Sequence, residues 1–318
     1  MSLHVQDLAV YYRSLRGDVQ ALDGVTFSVA DGEIMGLAGE SGCGKSTLGK
    51  SLIRLDGRMR HVRGRVELDG VELPIASTNG AMNRFRLKEV SIVPQYAMSA
   101  LNPIRRIGRM ISELLSSRGV SYEETLPELR RRLALVGLED EVLERYPIEL
   151  SGGMKQRVVM VLSTLMNPSL LIADELTSAL DVSTQKAVAE MLVEFRDRGF
   201  VKSTIVITHD LSILYQVADT ILVMYAGKLV EKGSAAEITE DPRHPYTKLL
   251  IASLPEVGVR FEERRLTGIA GRPPSLLRPP TGCRFRARCP LATEECAEEP
   301  PFVELAPGRH AACWKVAA

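Results

Sequence analysis

The sequence feature that most constrains this chain is the stretch Gly39-Glu40-Ser41-Gly42-Cys43-Gly44-Lys45-Ser46-Thr47. It has the pattern G-x-x-x-x-G-K-[ST] of a phosphate-binding loop, in which glycines let successive backbone N–H groups turn towards an anion. The apolar run 34–38 before it predicts a buried strand, and residues 48–55 after it predict a helix, whose positive dipole end also favours an anion. The sequence therefore predicts a strand–loop–helix unit that binds phosphate.

Two side chains of this loop add chemistry of their own. Lys45 is placed to reach the β- and γ-phosphates of a nucleotide, and the Ser46 hydroxyl is placed to ligate Mg²⁺. The nucleotide-binding residues predicted within the loop are Gly39, Ser41, Gly42, Cys43, Gly44, Lys45, Ser46 and Thr47.

Composition and charge give no support for a nucleic-acid partner, a membrane helix or a secretory signal. The 318 residues carry 40 Lys and Arg against 40 Asp and Glu, so no net charge argues for nucleic acid or for an acidic partner. No apolar run reaches the ~18 residues that a membrane helix needs, and the nearest one, 158–172, is interrupted by Asn167-Pro168. No basic region followed by an apolar core begins the chain, so no secretory signal is predicted. We expect a cytoplasmic protein.

The order of strands and helices predicts an α/β fold. Residues 5–11 and 25–29 alternate apolar and polar side chains, which is typical of strands in an antiparallel layer. The later alternation of strands and helices predicts a mostly parallel sheet with helices on both faces. Residues 97–165 are mostly helical and predict a helical subdomain inserted into a domain of residues 1–240. Residues 241–318 predict a small, irregular, cysteine-rich appendage.

Polar residues stand at or just beyond the ends of several predicted strands, and ligands of parallel sheets bind at the carboxyl ends of the strands. Asp174 is expected to hold the Mg²⁺ that bridges the β- and γ-phosphates, and Glu175 to orient or deprotonate the attacking water. His209 is expected to hydrogen-bond the γ-phosphate or that water. Gln95 follows another strand and is expected to sense the same site.

A second predicted helix start has an anion-binding pattern. Ser151-Gly152-Gly153 combines small residues with a hydroxyl at the beginning of a helix. The chain thus has two such helix starts but one phosphate-loop lysine, so the second site is predicted to serve a nucleotide held by another subunit.

Together these motifs resemble the ATP-binding cassette (ABC) family of transport ATPases over residues 3–240. The resemblance implies that Glu175 and His209 are catalytic, as the family's catalytic glutamate and switch histidine. It implies Mg²⁺ ligands at Ser46, Gln95 and Asp174. The signature would comprise Ser151, Gly152, Gly153 and Gln156, and the D-loop would contain Ser178 and Asp181. One departure is Leu176, where the family usually has Pro.

An aromatic residue upstream of the phosphate loop is expected to stack on the nucleotide base. Tyr12 best matches the family's aromatic position, and Tyr11 is the alternative. Either side chain alone is equally well explained as part of the core.

A narrower resemblance is to the ATPase subunits of oligopeptide and dipeptide permeases. It rests on Gln95 with Leu101-Asn102-Pro103, on His244-Pro245-Tyr246-Thr247 and on the cysteines of the appendage. It implies a second ATPase subunit, two membrane permease subunits and an extracytoplasmic binding protein as partners, at the cytoplasmic face of the membrane. Peptides are the expected cargo, with oligosaccharides or nickel as alternatives. A soluble ABC ATPase of translation or DNA repair is the other alternative, disfavoured because there is one phosphate loop and no long heptad run.

The appendage contains four cysteines, Cys283, Cys289, Cys296 and Cys313, with five, six and sixteen residues between successive members. Four thiolates ligate either a tetrahedral zinc ion or a [4Fe–4S] cluster. Structural zinc favours closely spaced cysteine pairs, which are missing here, so the spacing favours the cluster, as does the permease resemblance. Arg284, Arg286 and Arg288 are expected beside it, as compensating charge or merely solvated. The expected role is structural or in docking.

Overall fold

The computed structural model of the chain describes residues 3–53, 55–77, 80–95, 99–176, 182–253 and 268–316, with the side chains of residues 182 and 183 excepted. The strands of this part are β1 (Leu3–Ser14), β2 (Gly17–Val29), β3 (Ile34–Ala38), β4 (Met59–Leu68), β5 (Val71–Glu72), β6 (Val90–Val93), β7 (Leu170–Asp174), β8 (Ser203–Ile207), β9 (Thr220–Tyr225), β10 (Lys228–Ser234), β11 (Val303–Ala306) and β12 (Arg309–Ala311). Its α-helices are α1 (Lys45–Ser51), α2 (Ile107–Ser116), α3 (Tyr122–Leu135), α4 (Gly152–Thr164), α5 (Val182–Asp197), α6 (Leu211–Val217), α7 (Ala235–Glu240) and α8 (Pro245–Ala252).

The first sheet is antiparallel, with the strand order β2-β1-β4-β5. Val5 lies opposite both Phe27 and Val66, and all three side chains are buried. The alternation of apolar and polar residues in the sequence thus corresponds to a sheet with one face in the core. The predicted antiparallel layer is confirmed.

The second sheet is mixed, with the strand order β11-β12-β10-β9-β3-β8-β7-β6. The strands from β9 to β6 in this order run parallel, whereas β10, β12 and β11 are added antiparallel. Every residue of β3, β7 and β8 is buried, which explains why these strands are continuous apolar runs in the sequence. The predicted α/β fold is confirmed.

Parallel pairing aligns the ends of the central strands. Asp174 at the end of β7 lies opposite Ile207 at the end of β8, and Val93 at the end of β6 lies opposite Ala173. The residues that follow these strands therefore leave the sheet at one edge, as the sequence predicted.

Between β6 and β7 the chain is mostly helical, as expected. On α2, Ile107, Ile111 and Leu115 recur at helical spacing and are buried in the same core cluster as Leu129 and Leu133 of α3. Among the helices that the structure describes, none is both long enough and apolar enough to cross a membrane.

In its described residues the appendage contains helix α8 and irregular segments, and it also extends the central sheet. Glu231 of β10 lies opposite Ala311 of β12, and the Ala312 N–H donates to the Val230 carbonyl at 2.9 Å. The sequence pattern did not indicate this pairing, because β11 and β12 are only four and three residues long.

A buried cation joins the helical region to the strand that follows it. Arg132 of α3 is 1% exposed, and its guanidinium lies 3.9 Å from the centre of the Phe200 ring. It donates to the backbone carbonyl of Thr164, which ends α4, and to the side-chain oxygen of Asn167 at 2.5 Å. The turn before β7 is therefore held by a side chain of α3.

Replacing Arg132 with Ala should lower the free energy of unfolding by about 2–4 kcal/mol, because it removes the donor to three acceptors, the third being the Glu128 carboxylate, and leaves a cavity beside Phe200. Urea unfolding followed by circular dichroism measures the loss. Arg131→Ala is the matched control, since Arg131 also lies near Phe200 but is 55% exposed. The Arg131→Ala variant should leave the urea midpoint of unfolding almost unchanged. Equal losses of unfolding free energy in the two variants would contradict the structural role given to Arg132.

Candidate nucleotide-binding site

The phosphate loop leads directly from β3 into α1. The helix begins at Lys45, three residues before the predicted start at 48, and ends at Ser51. Its first turn thus contains the loop residues Lys45, Ser46 and Thr47, so their backbone N–H groups stand at the positive end of the helix.

Three glycines give the loop its conformation. Gly39, Gly42 and Gly44 have φ values of 144°, 80° and 114°, which L side chains rarely adopt. A Cβ atom on Gly39 would lie 2.2 Å from the Met224 carbonyl oxygen, and one on Gly44 would lie 2.4 Å from the Ala21 carbonyl oxygen. The loop therefore packs directly against the backbone of β9 and β2.

Lys45 has its ammonium group within the loop. The residue is 7% exposed, and Nζ donates to the Gly39 carbonyl at 2.6 Å and to the Glu40 carbonyl at 3.1 Å. These backbone acceptors hold the cation in place, and a phosphate oxygen has the chemistry to replace them.

Ser46 and Asp174 form a hydrogen-bonded pair next to the phosphate loop. The Ser46 hydroxyl donates to Asp174 Oδ1 at 3.1 Å, and Asp174 is 1% exposed. Burial raises the pKa of the Asp174 carboxyl, the Ser46 hydrogen bond opposes that rise, and the neighbouring Glu175 adds to it. A buried carboxylate beside a hydroxyl is a suitable donor set for a hard divalent cation such as Mg²⁺.

Glu175 lies between two other predicted site residues. Gln95 Nε2 donates to Glu175 Oε2 at 2.5 Å, and His209 Nδ1 lies 3.9 Å from Oε1 of the same carboxylate. The Glu175 N–H donates to the Ile207 carbonyl at 2.8 Å, which fixes the backbone at the strand end. The structure thus brings together side chains from the ends of β6, β7 and β8.

The two tyrosines upstream of the loop have different surroundings. The Tyr12 hydroxyl lies 3.3 Å from Thr47 Oγ1, at the start of α1. The Tyr11 hydroxyl instead donates to Asp23 Oδ1 at 3.2 Å, and burial together with the Asp23 carboxylate raises its pKa. Tyr12 is therefore the tyrosine beside the phosphate loop.

The second predicted anion site is a capped helix start. The exposed Ser151 is the N-cap of α4, where its hydroxyl accepts from the Met154 N–H at 3.3 Å, and Gly152 and Gly153 form the first turn. Gln156 is 3% exposed and donates to the Leu176 carbonyl, so its side chain joins α4 to the loop after Glu175.

The D-loop residues Ser178 and Asp181 lie outside the residues that the structure describes.

The four cysteines of the appendage line one small cavity, and no disulfide joins them. Burial raises the pKa of the Cys283 thiol to about 11, and the other three thiols add to the rise. Within the described ranges, no three His, Cys, Asp or Glu side chains form a group that would hold a metal ion. A preformed metal site is therefore not supported, although the predicted thiols are gathered in one place.

Two of the three arginines near these cysteines have an unexpected role. Arg284 donates to the Asp23 carboxylate, and Arg288 forms two hydrogen bonds with the Glu40 carboxylate. The alternative that they are merely solvated is therefore wrong for this pair. Glu40 also donates its N–H to the Tyr246 hydroxyl at 2.8 Å. No local pattern predicts these contacts, because the partners are 206 and 248 residues apart.

Gly39→Ala should abolish measurable nucleotide binding, because the added Cβ would overlap the Met224 carbonyl and force the loop to move. Gly32→Ala is the matched control, because Gly32 lies before β3 and outside the phosphate loop. Its φ is also positive, but no atom lies within 4 Å of the added Cβ, so it should cost only about 1–2 kcal/mol of stability. Titration with a fluorescent nucleotide and a thermal melt measure both effects. A Gly39→Ala protein that bound nucleotide like the control would refute the packing argument.

Known proteins show the same combination of parts. The sequence model of the family described as "ABC transporter" matches residues 22–178, and that described as "Oligopeptide/dipeptide transporter, C-terminal region" matches residues 230–296. The chain is 38% identical over 316 residues to the oligopeptide transport ATP-binding protein OppD of Escherichia coli strain K12, covering 98% of this chain and 93% of OppD. It is 39% identical over 318 residues to the dipeptide transport ATP-binding protein DppD of Bacillus subtilis strain 168, covering 98% and 94%.

The fold is also found among solved structures. The dimeric structure of MJ0796, a bacterial ABC transporter cassette, superposes with a TM-score of 0.64 at 23% identity, covering 73% of this chain and 98% of that one. The chain therefore belongs to the ABC transporter family, among the ATP-binding proteins of its oligopeptide/dipeptide transporter group.

Proposed function

We propose that this chain is the ATP-hydrolysing subunit of an ABC importer that takes up peptides. The observation that carries the proposal is the set of side chains at one edge of the sheet: Lys45 in the phosphate loop, Ser46 on Asp174, and Gln95 on Glu175. Peptides are proposed as the cargo because the relatives at 38–39% identity are described as oligopeptide and dipeptide transport proteins.

MgATP is the substrate of this site. The backbone N–H groups of the loop and Lys45 bind the β- and γ-phosphates, and Tyr12 stacks on the base. Ser46 and Asp174, with Gln95, provide oxygen ligands for the Mg²⁺ of the substrate. The burial of Asp174 supports this role, because a buried carboxylate is stabilised by a bound cation.

Glu175 orients the attacking water and accepts its proton. Gln95 holds one carboxylate oxygen at 2.5 Å, and His209, near the other oxygen, is placed to hydrogen-bond the water or the γ-phosphate. Gln95 also stands between the sheet and the helical region, so it is proposed to couple the state of the nucleotide to those helices.

We further propose that ATP is clamped between two ATPase subunits, this chain and a paralogue or second copy. The phosphate loop of one subunit would face Ser151, Gly152, Gly153 and Gln156 of the other, with Ser178 and Asp181 at the same interface. The exposed N-cap of α4 and the dimeric state in the description of MJ0796 support this arrangement.

The remaining proposed partners are two membrane permease subunits and an extracytoplasmic binding protein, which would place the chain at the cytoplasmic face of the membrane. Exposed apolar side chains of the helical region support permease docking: Ile104 is 81% exposed and Ile148 79%. Their segments are neighbours, because Arg106 pairs with Glu144 at 2.7 Å and lies 5.7 Å from the centre of the Tyr146 ring.

Glu175→Gln should leave ATP affinity within about threefold of the wild type, while hydrolysis by the assembled transporter falls by a factor of about 10² or more, because the water loses its base. Phosphate release and equilibrium binding of ATP measure the two quantities. Glu190→Gln is the control, since Glu190 lies exposed on α5 and should leave both unchanged. Near-normal hydrolysis by the Glu175→Gln complex would remove the proposed role.

We also propose that Cys283, Cys289, Cys296 and Cys313 hold a [4Fe–4S] cluster, with zinc as the alternative. The support is that all four thiols line one cavity, and that their wide spacing in the sequence suits a cluster, whose separate irons are separate ligation points. The raised pKa of Cys283 means that a bound cation would release protons from these thiols. When bound, the cluster would cross-link the segments that carry the four cysteines.

Anaerobic purification with iron supplied should give brown protein with about four iron and four sulfide per chain. Cys283→Ser should lose the colour and the iron. Cys43→Ser should keep both, because Cys43 is buried in the phosphate loop and does not line the cavity that the other four thiols line. Colourless protein with one zinc ion and no sulfide would favour the alternative.

A further inference from the structure

A short segment of the appendage contacts both the ATPase core and the cavity lined by Cys283, Cys289, Cys296 and Cys313, called here the thiol cavity. Residues 283–289, called here the arginine segment, begin with Cys283 and end with Cys289, which both line the cavity. Arg284, next to the first cysteine, donates to the Ala226 carbonyl and to the Asp23 carboxylate, each at 2.5 Å. The segment is thereby attached beside the turn between β9 and β10.

Arg288, next to the second cysteine, binds the phosphate loop itself. Its guanidinium donates to both carboxylate oxygens of Glu40, at 2.7 and 2.9 Å, and this ion pair raises the pKa of Arg288. The Arg288 side chain is 5% exposed and that of Glu40 is 24% exposed, so the pair is screened much less than a surface salt bridge. The same guanidinium donates to the carbonyls of Ile269 and Ala270 and to the Tyr225 hydroxyl.

Glu40 is held from a second side by α8. His244 caps this helix by accepting the Tyr246 N–H on Nδ1 at 3.0 Å, and Pro245 occupies the first helical position. The Tyr246 hydroxyl then accepts the Glu40 N–H at 2.8 Å. The Tyr246 ring packs on Tyr225 and Phe285, which joins α8, β9 and the arginine segment into one cluster.

We propose that Arg288 is a positioning residue for nucleotide binding: it fixes and neutralises Glu40, and so makes the affinity of the phosphate loop for ATP depend on the thiol cavity. The inference rests on the proposed ATP site. Its physical basis is that Glu40 stands in the loop that wraps a polyanion, and its backbone carbonyl already accepts from Lys45. Without Arg288, a partly buried carboxylate would be left to repel the phosphates.

The test is a double-mutant cycle on the full chain, read as the equilibrium affinity for ribose-labelled fluorescent ATP. Arg288→Ala should weaken binding about tenfold, and Glu40→Gln should bind at least as tightly as the wild type. The double variant should regain most of the lost affinity, because no charge remains to be neutralised. The loss of affinity caused by Arg288→Ala should also be smaller for ADP, which carries less charge than ATP, and should decrease as salt is added.

The matched control is Arg286→Ala, which removes an exposed arginine of the same segment and should change nothing. Should Arg288→Ala fail to fold, Arg288→Gln takes its place in the cycle. Equal affinity of the wild type and the Arg288 variant, or a loss that persists in the Glu40→Gln background, would overturn the inference. A wild-type chain that does not bind the probe would instead refute the proposed ATP site.

The Cys289→Ser variant tests whether the affinity for ATP depends on the thiol cavity. In the wild-type background this change should weaken binding of the same probe severalfold. In the Arg288→Ala background it should add nothing further, because the contact that transmits it is already missing. An unchanged affinity in the first case, or additive losses in the second, would show that the loop is independent of the cavity.

Discussion

The burial of the Asp174 carboxylate is the constraint on which the nucleotide site depends. Asp174 ends a strand in which every residue is buried, and it accepts a hydrogen bond from Ser46 at the start of α1. An unpaired charge that is buried so deeply is unfavourable, so the site favours a bound cation. The hydrogen bond from Ser46 also joins the start of α1 to the end of β7. The parallel neighbours of β7 then place Gln95 and His209 beside Glu175, because all these strands end at the same edge.

The opposite side of the phosphate loop is fixed by backbone contacts and by the appendage. Gly39 packs against the Met224 carbonyl, and the Gly227 N–H donates to the Cys43 carbonyl at 2.7 Å. Arg288 and Tyr246 then bind Glu40 from two directions. The loop thus contacts the central strands on one side and β9, α8 and the appendage on the other, so an element distant in sequence lies directly against the loop.

The sequence predicted the parts of this site whose signals are local. The glycines, Lys45 and Ser46 lie in one short motif, and Asp174 and Glu175 end an apolar run, so their placement followed from the rules of parallel sheets. The supporting contacts could not be predicted in this way. Arg288 pairs with a residue 248 positions away, and nothing in its own neighbourhood distinguishes it from the exposed Arg286. The pairing of β12 with β10 was missed for a similar reason, since a three-residue strand carries too little pattern.

The family usually has Pro at the position of Leu176, and two features explain the leucine physically: the backbone conformation of Glu175 and the contacts of Leu176 itself. Glu175 adopts a φ of 49°, in the left-handed region, and a following proline would push it towards extended conformations. Leu176 has no such ring, so the backbone of Glu175 keeps this conformation more easily. The Leu176 side chain is 4% exposed and packs in the core cluster that contains the helical region, while its carbonyl accepts from Gln156. Leu176 therefore provides apolar contact between the loop after β7 and the helical region.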